Sequence, residues 1–177
     1  IRDYCSDKPD LRNPLIVKDV TEIFKDTTFS VFQNVTIKCI KATTNGKPRK
    51  WYDKLTDFLK SREAKGLAYL SILPDGSYKS SFAKFMTEDE MAAIKEKCGA
   101  ENGDVILIVA DKKDLTLSVL GSLRQEVAKK LDIIPADKFN LLWITEFPFF
   151  EWDEEAQTFV AMHHPFTSPM DECLEYL

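Results

Sequence analysis

The residues best suited to chemistry in this 177-residue chain are its only two histidines, His163 and His164, adjacent in the string AMHHPFTSP. An imidazole titrates near neutral pH and can donate a hydrogen bond, accept one or ligate a metal. Neighbours along an extended strand point to opposite faces, so the two are ill placed to hold one metal ion together. A plainer reading has one histidine closing a strand and the other solvated. Upstream, Asp153-Glu154-Glu155 sets three carboxylates in a row. Paired carboxylates do glycosidase-like work only across a pocket, and a hairpin turn needs polar residues at this place in any case. The four cysteines, Cys5, Cys39, Cys98 and Cys173, form no CxxC pair and no zinc-like spacing with histidine. They read as reduced, mostly buried thiols, and no metal site is expected.

Other charged clusters are less specific. Asp7, Lys8, Asp10 and Arg12 crowd the stretch IRDYCSDKPDLRNPL, either as a solvated loop or as part of a charged site that other residues complete. Lys47, Arg49 and Lys50 gather where a helix should begin, the end at which the helix dipole least favours cations. A phosphate partner would account for that placement, and so would plain solvation. No GxxxxGKS/T loop, no GxGxxG after a strand and no GxSxG elbow occurs.

The elements that must position these residues alternate along the chain. Residues 1–15, rich in proline and charge, are expected to be irregular. VKDVTEIFKD places Val17, Val20, Ile23 and Phe24 on one helical face. The run from Phe29 to Ala42 alternates as a strand with one face in water. Asn45-Gly46 marks a turn, and residues 48–63 read as a helix on the spacing of Trp51, Leu55, Phe58 and Leu59. LAYLSIL is a strand closed by Pro74-Asp75-Gly76, and residues 78–86 continue the sheet with Phe82 and Phe85 inward. Thr87 to Glu90 carries a capping box for a helix that buries Met91, Ile94 and Cys98 and stops at Gly99. VILIVA, wholly apolar, reads as a central strand buried on both faces. A long helix over residues 112–131 carries Leu115, Val119, Leu123, Val127 and Leu131, with Gly121 beside the stripe to permit close packing. From Leu141 to Pro169, two aromatic-rich runs flank the acidic turn as an antiparallel hairpin, burying one face and carrying the histidines at its far end. The class is α+β, an antiparallel or mixed sheet flanked by helices.

Length and composition bound the rest. Hydrophobic content of 44% with 12 Phe is enough for a real core. A net charge of −5 argues against a generic nucleic-acid binder. No signal peptide and no apolar run of membrane-spanning length is visible, which reads as a cytoplasmic protein. The chain opens on Ile1 rather than Met, as an excised or processed piece would.

Specific strings then say more than periodicity. YCSDKPDLR, GLAYL, FAKF, ENGDVILIVADKK, LGSLRQEVAKKL and LLWITEFPFFEW…AMHHPFTSP occur in that order from about residue 2 to residue 169. Together they resemble bacterial-type aspartyl-tRNA synthetases. The resemblance implies a GAD-type insertion domain over residues 16–137, shared with the B subunit of an amidotransferase. It also implies flanking class II catalytic-domain segments at 1–15 and 138–177, the latter with the hairpin of the catalytic sheet. An inserted domain enters and leaves at neighbouring points, so the flanks would lie side by side.

The parent enzyme so implied ligates aspartate to tRNA(Asp) through an aspartyl-adenylate made from ATP with Mg2+, and dimerises through its catalytic core. By the same resemblance, His163 and His164 belong to a loop over the adenylate pocket, with Phe166 and Thr167 supporting it. Ser6, Asp7, Lys8 and Arg12 would lie near the site, and Cys5 stands where the family usually has glycine. The class II phosphate-gripping arginine, the acidic magnesium ligands, the glycine-rich third motif and the anticodon-binding barrel match nothing here. The isolated chain, monomeric or not, is therefore expected to be inactive and to bind no cofactor of its own. Two alternatives stay open. One is a free-standing module that binds tRNA through Lys47, Arg49, Lys50, Lys112 and Lys113, or a protein partner. The other is an unrelated metal or hydrolytic enzyme built on the histidine pair.

Overall fold

The apolar run at 105–110 lies, as its composition requires, at the centre of a sheet. The computed structural model describes residues 2–6, 8–143, 150–162 and 170–176, and the chain divides into two units, residues 1–140 and 141–177. In the larger unit five strands, β1 (Val17–Asp19), β2 (Thr36–Thr43), β3 (Ala68–Ile72), β4 (Tyr78–Ser80) and β5 (Asp104–Asp111), join in the order β1-β2-β5-β3-β4. Every pairing is antiparallel. The longest ladder matches β2 to β5 from Thr36↔Asp111 to Thr43↔Asp104.

Both faces of this sheet are covered, which is why β5 can be apolar throughout. On one face Ile40, Ala42, Val105, Leu107 and Val109 pack under α1 (Arg49–Lys60) and α3 (Lys113–Leu131). On the other, Ile37, Cys39, Leu70, Ile106 and Ile108 pack under α2 (Glu88–Cys98) and an aromatic group of Phe24, Phe32 and Phe82. Burying each such aliphatic side chain contributes about 1.5–3 kcal/mol before conformational entropy is subtracted. The α+β class, the central strand and the three principal helices are as the sequence predicts.

Local signals fix the helix ends. The Thr87 N–H donates to Glu90 Oε2 (2.8 Å) and the Glu90 N–H donates to Thr87 Oγ1 (3.2 Å), the reciprocal box the sequence implies. Gly99 closes α2 at φ 58, a left-handed conformation that costs glycine little. On α3, a Cβ at Gly121 would sit 2.6 Å from the Cys5 carbonyl oxygen, so the missing side chain admits the N-terminal segment onto the helix.

Four expectations are corrected. Residues 17–19 form β1 on the open edge of β2, with a 3-10 turn at Thr21–Phe24, rather than a helix. Val17, Val20 and Phe24 are buried either way, so periodicity alone could not separate the two. β2 starts at Thr36, after a 3-10 turn at Ser30–Phe32, and neither of its faces is in water. Its Lys38 is only 8% exposed and reaches Asp19 (2.8 Å), while Lys41 reaches Asp104 (2.9 Å). Long stems bury while their ammonium groups pair, so the alternation misleads. After β4, Ser80 Oγ accepts the N–H of Phe82 and of Ala83 and starts a 3-10 turn at Ala83–Phe85. Phe82 is buried as expected, but Phe85 is 44% exposed and stacks on Phe29 at 4.7 Å.

The smaller unit holds the expected hairpin, β6 (Phe150–Asp153) and β7 (Thr158–Ala161), paired antiparallel. Asp153 Oδ1 accepts the N–H of Glu155 (2.8 Å) and of Ala156 (2.9 Å), so the first acid of the triplet shapes the turn. Trp152 and Phe159 meet edge to face at 5.2 Å. Both remain exposed, as does Phe150.

Candidate functional site

The charged N-terminal stretch is ordered by an arginine that sequence reading passes over. Arg124 lies on α3 between Leu123 and Val127, fully buried, with no carboxylate paired to it among the described residues. Its Nε donates to the Leu15 carbonyl, and its Nη2 donates to the carbonyls of Asn13 (2.7 Å) and Asp10 (3.1 Å). Asn13 answers by donating its Nδ2 to the Arg124 carbonyl (3.2 Å), and the Tyr4 ring lies 5.0 Å from the guanidinium carbon. Burial draws the Arg124 pKa down from its ordinary value, yet carbonyl dipoles hold most of its donors. The signal was available: position 124 falls on the apolar stripe of Leu120, Val127 and Ala128, where an arginine must find partners.

Arg12 ties this segment to the chain leaving the unit. Its Nε and Nη2 fork onto the two oxygens of Asp10 (3.0 and 2.8 Å), and its Nη1 donates to the carbonyls of Pro135 (3.3 Å) and Lys138 (3.4 Å). The guanidinium holds the Asp10 carboxyl below its usual range. Ser6 Oγ accepts the Lys8 N–H (3.0 Å), which shapes the same segment. Cys5 has φ 53, in the region that favours glycine, the residue the resemblance leads one to expect there. Of the near-site candidates, Ser6, Lys8 and Arg12 thus sit in one pinned segment. Asp7 lies outside the described residues, as do His163, His164, Phe166 and Thr167.

The five basic candidates separate into two groups. Lys47, Arg49 and Lys50 stand where β2 runs into α1, with Arg49 and Lys50 exposed and Arg49 Nε 3.9 Å from Asp53. Lys112 and Lys113 stand where β5 runs into α3, at the opposite end of the β2–β5 ladder. At roughly 3.4 Å per residue the two ends are about 24 Å apart, so the groups do not form one local patch. Lys112 and Lys113 line a cleft of about 390 Å³ with Lys25, Glu22, Asn34 and Thr36, an opening with a net positive lining. Among the described residues no three His, Cys, Asp or Glu side chains converge on a metal position. No helix among them is long and apolar enough to cross a membrane.

Comparison with known proteins places this arrangement. The chain is 48% identical over 180 residues to an aspartate–tRNA ligase of Ruminiclostridium cellulolyticum. It is 47% identical over 180 residues to an aspartate–tRNA(Asp/Asn) ligase of Lachnoclostridium phytofermentans. Each match takes in 98% of this chain but only 30% of the relative, so the chain spans under a third of the length of these proteins. Residues 29–120, from the end of the N-terminal segments through β2, α1, α2 and β5 into α3, match the GAD domain. With that match covering more than half of its residues, the chain belongs to the GAD domain family.

Proposed function

We propose that this chain is part of an aspartate–tRNA ligase, with a GAD-type domain over residues 16–137 set between catalytic-domain segments 1–15 and 138–177. The supporting observation is that the 48% identity runs through 98% of the chain, flanks included, rather than stopping at the GAD domain. The whole enzyme, a class II synthetase, homodimeric and cytoplasmic, would form aspartyl-adenylate from aspartate and ATP with Mg2+ and pass the aspartyl group to tRNA(Asp). In it His163 and His164 would donate hydrogen bonds to carboxylate or phosphate oxygens of the adenylate, with Phe166 and Thr167 supporting their loop. The pinned segment with Ser6, Asp7, Lys8 and Arg12 would border that site.

The described residues do not by themselves fit ATP with Mg2+. They converge on no metal position, and Arg12 is committed to Asp10 and two carbonyls. The isolated chain is therefore expected to be inactive. Aspartate-dependent ATP–pyrophosphate exchange tests this, and turnover by the chain alone near that of an intact synthetase would overturn it. An immunoblot of the source cell tests the larger reading. A band far above 20.3 kDa supports it, and a band at that mass favours a free-standing module.

The GAD domain would serve as a structural or tRNA-approach module. The positively lined cleft at Lys112 and Lys113 favours a contact with tRNA phosphates. Charge reversal there should flatten the salt dependence of tRNA binding. If reversal there and at Lys47, Arg49 and Lys50 leaves binding unchanged, the tRNA role fails.

A further inference from the structure

Two thiols that look unrelated in sequence meet in the interior. Cys39 lies mid-strand in β2 and Cys98 is the last residue of α2, and their sulfurs are 3.4 Å apart. Cys39 is fully buried among Ile37, Ile94, Ile106 and Ile108, while Cys98 keeps 8% exposure at the rim of the same layer. Among the described cysteines the other candidate, Cys5, is kept away by the sheet, because it packs against the hydrophobic cluster on the other face. We infer that Cys39 and Cys98 form a peroxide-sensitive dithiol, oxidised to an intramolecular disulfide that staples α2 to the sheet.

The geometry assigns the roles. A disulfide sulfur pair is about 2.0 Å apart, so the two atoms, 3.4 Å apart, need to close by roughly 1.4 Å. Cys98, with its residual exposure, is the thiol a small oxidant can reach. Its thiolate attacks one oxygen of hydrogen peroxide, giving Cys98 sulfenic acid and hydroxide. The Cys39 sulfur then attacks the Cys98 sulfur, the S–O bond breaks, and the thiol proton leaves with the hydroxyl as water. Two electrons and two protons pass from the thiols to the peroxide. The hydrogen bond between the sulfurs, with burial, pushes the Cys39 thiol well up, while the same bond draws Cys98 down, so Cys98, the less deeply buried of the two, carries the larger thiolate fraction.

The test uses the reduced 177-residue chain, treated under native conditions with hydrogen peroxide and digested without reductant. A linked peptide containing Cys39 and Cys98, lighter by two hydrogens, is expected. The thermal midpoint should rise by roughly 5–15 °C and return on reduction. Cys39→Ser should stop at a Cys98 sulfenic acid that dimedone traps, and Cys98→Ser should leave Cys39 unmodified. If Cys39→Ser does not fold, Cys39→Ala gives the same trapping readout from an apolar replacement. Oxidation confined to Cys5 overturns the inference, as does Cys98 passing to sulfinic acid without a Cys39 link. A link that forms only in urea overturns it as well.

Discussion

Gly121→Ala separates helix propensity from packing. In an exposed helix the change stabilises by about 1 kcal/mol. Here the new Cβ would stand 2.6 Å from the Cys5 carbonyl oxygen, where ordinary contact begins near 3.4 Å. The segment would have to retreat by roughly 0.8 Å, the difference of those distances. It is not free to do so. Cys5 is already in the left-handed region, and Arg124 holds the carbonyls of Asp10, Asn13 and Leu15 downstream. Overpacking of this kind costs about 1–3 kcal/mol. Release of the segment instead forfeits hydrogen bonds to a charged donor, each about 1.5–3 kcal/mol. Overpacking cancels or exceeds the helix gain and release costs more, so the variant should be less stable by up to about 2 kcal/mol. Urea unfolding followed by tryptophan fluorescence measures this, and amide exchange over residues 2–15 should rise in parallel. A variant more stable than the unsubstituted chain would refute the close approach of Cys5 to α3.

Three further outcomes are expected. Arg124→Met should cost about 2–4 kcal/mol, because three carbonyls lose their donor, and Arg124→Lys should recover only part of it since an ammonium cannot fork. Burial pushes the Asp104 carboxyl up, but hydrogen bonds from Thr43, Lys41 and the Glu101 N–H outweigh it and leave its pKa below the ordinary value. That contribution is therefore complete above about pH 4, the unfolded value, and is lost as pH falls through the lower folded one. Asp104→Asn should lower stability at pH 7 and make the acid limb of a stability–pH curve shallower. Thr87→Ala should cost about 1 kcal/mol in urea unfolding and Thr87→Ser only a few tenths, since serine keeps the cap.

Where a feature depends on residues close in sequence, the sequence was readable. The Thr87–Glu90 box, Gly99, the turn at Pro74-Asp75-Gly76 and the hairpin turn at Asp153 are all set by three or four residues. VILIVA was readable because its composition admits one environment. What was misread depends on distant partners. Val17 to Asp19 pairs because β2 offers an edge, and nothing within VKDVTEIF says so. Lys38 and Lys41, on opposite faces of β2, look solvated until Asp19 and Asp104 are brought to them. Arg124 hides in a leucine stripe, and nothing in PDLRNPL announces that Arg12 reaches the carbonyls of Pro135 and Lys138. The two cysteines that touch have no spacing motif to announce them.

The β2–β5 ladder also sets a schedule for the nascent chain. β2 is made before its partner, which from Asp104 onward emerges about 60 residues later, a wait of roughly 3–12 s at 5–20 residues per second. Meanwhile the edge of β2 that β5 will take is open, and an open apolar edge invites pairing with other chains. The β3–β4 hairpin and α2 can form locally in that interval, but they gain a sheet to pack on only when β5 arrives. Substitutions in β5 should therefore lower the yield of folded protein more than their effect on equilibrium stability suggests.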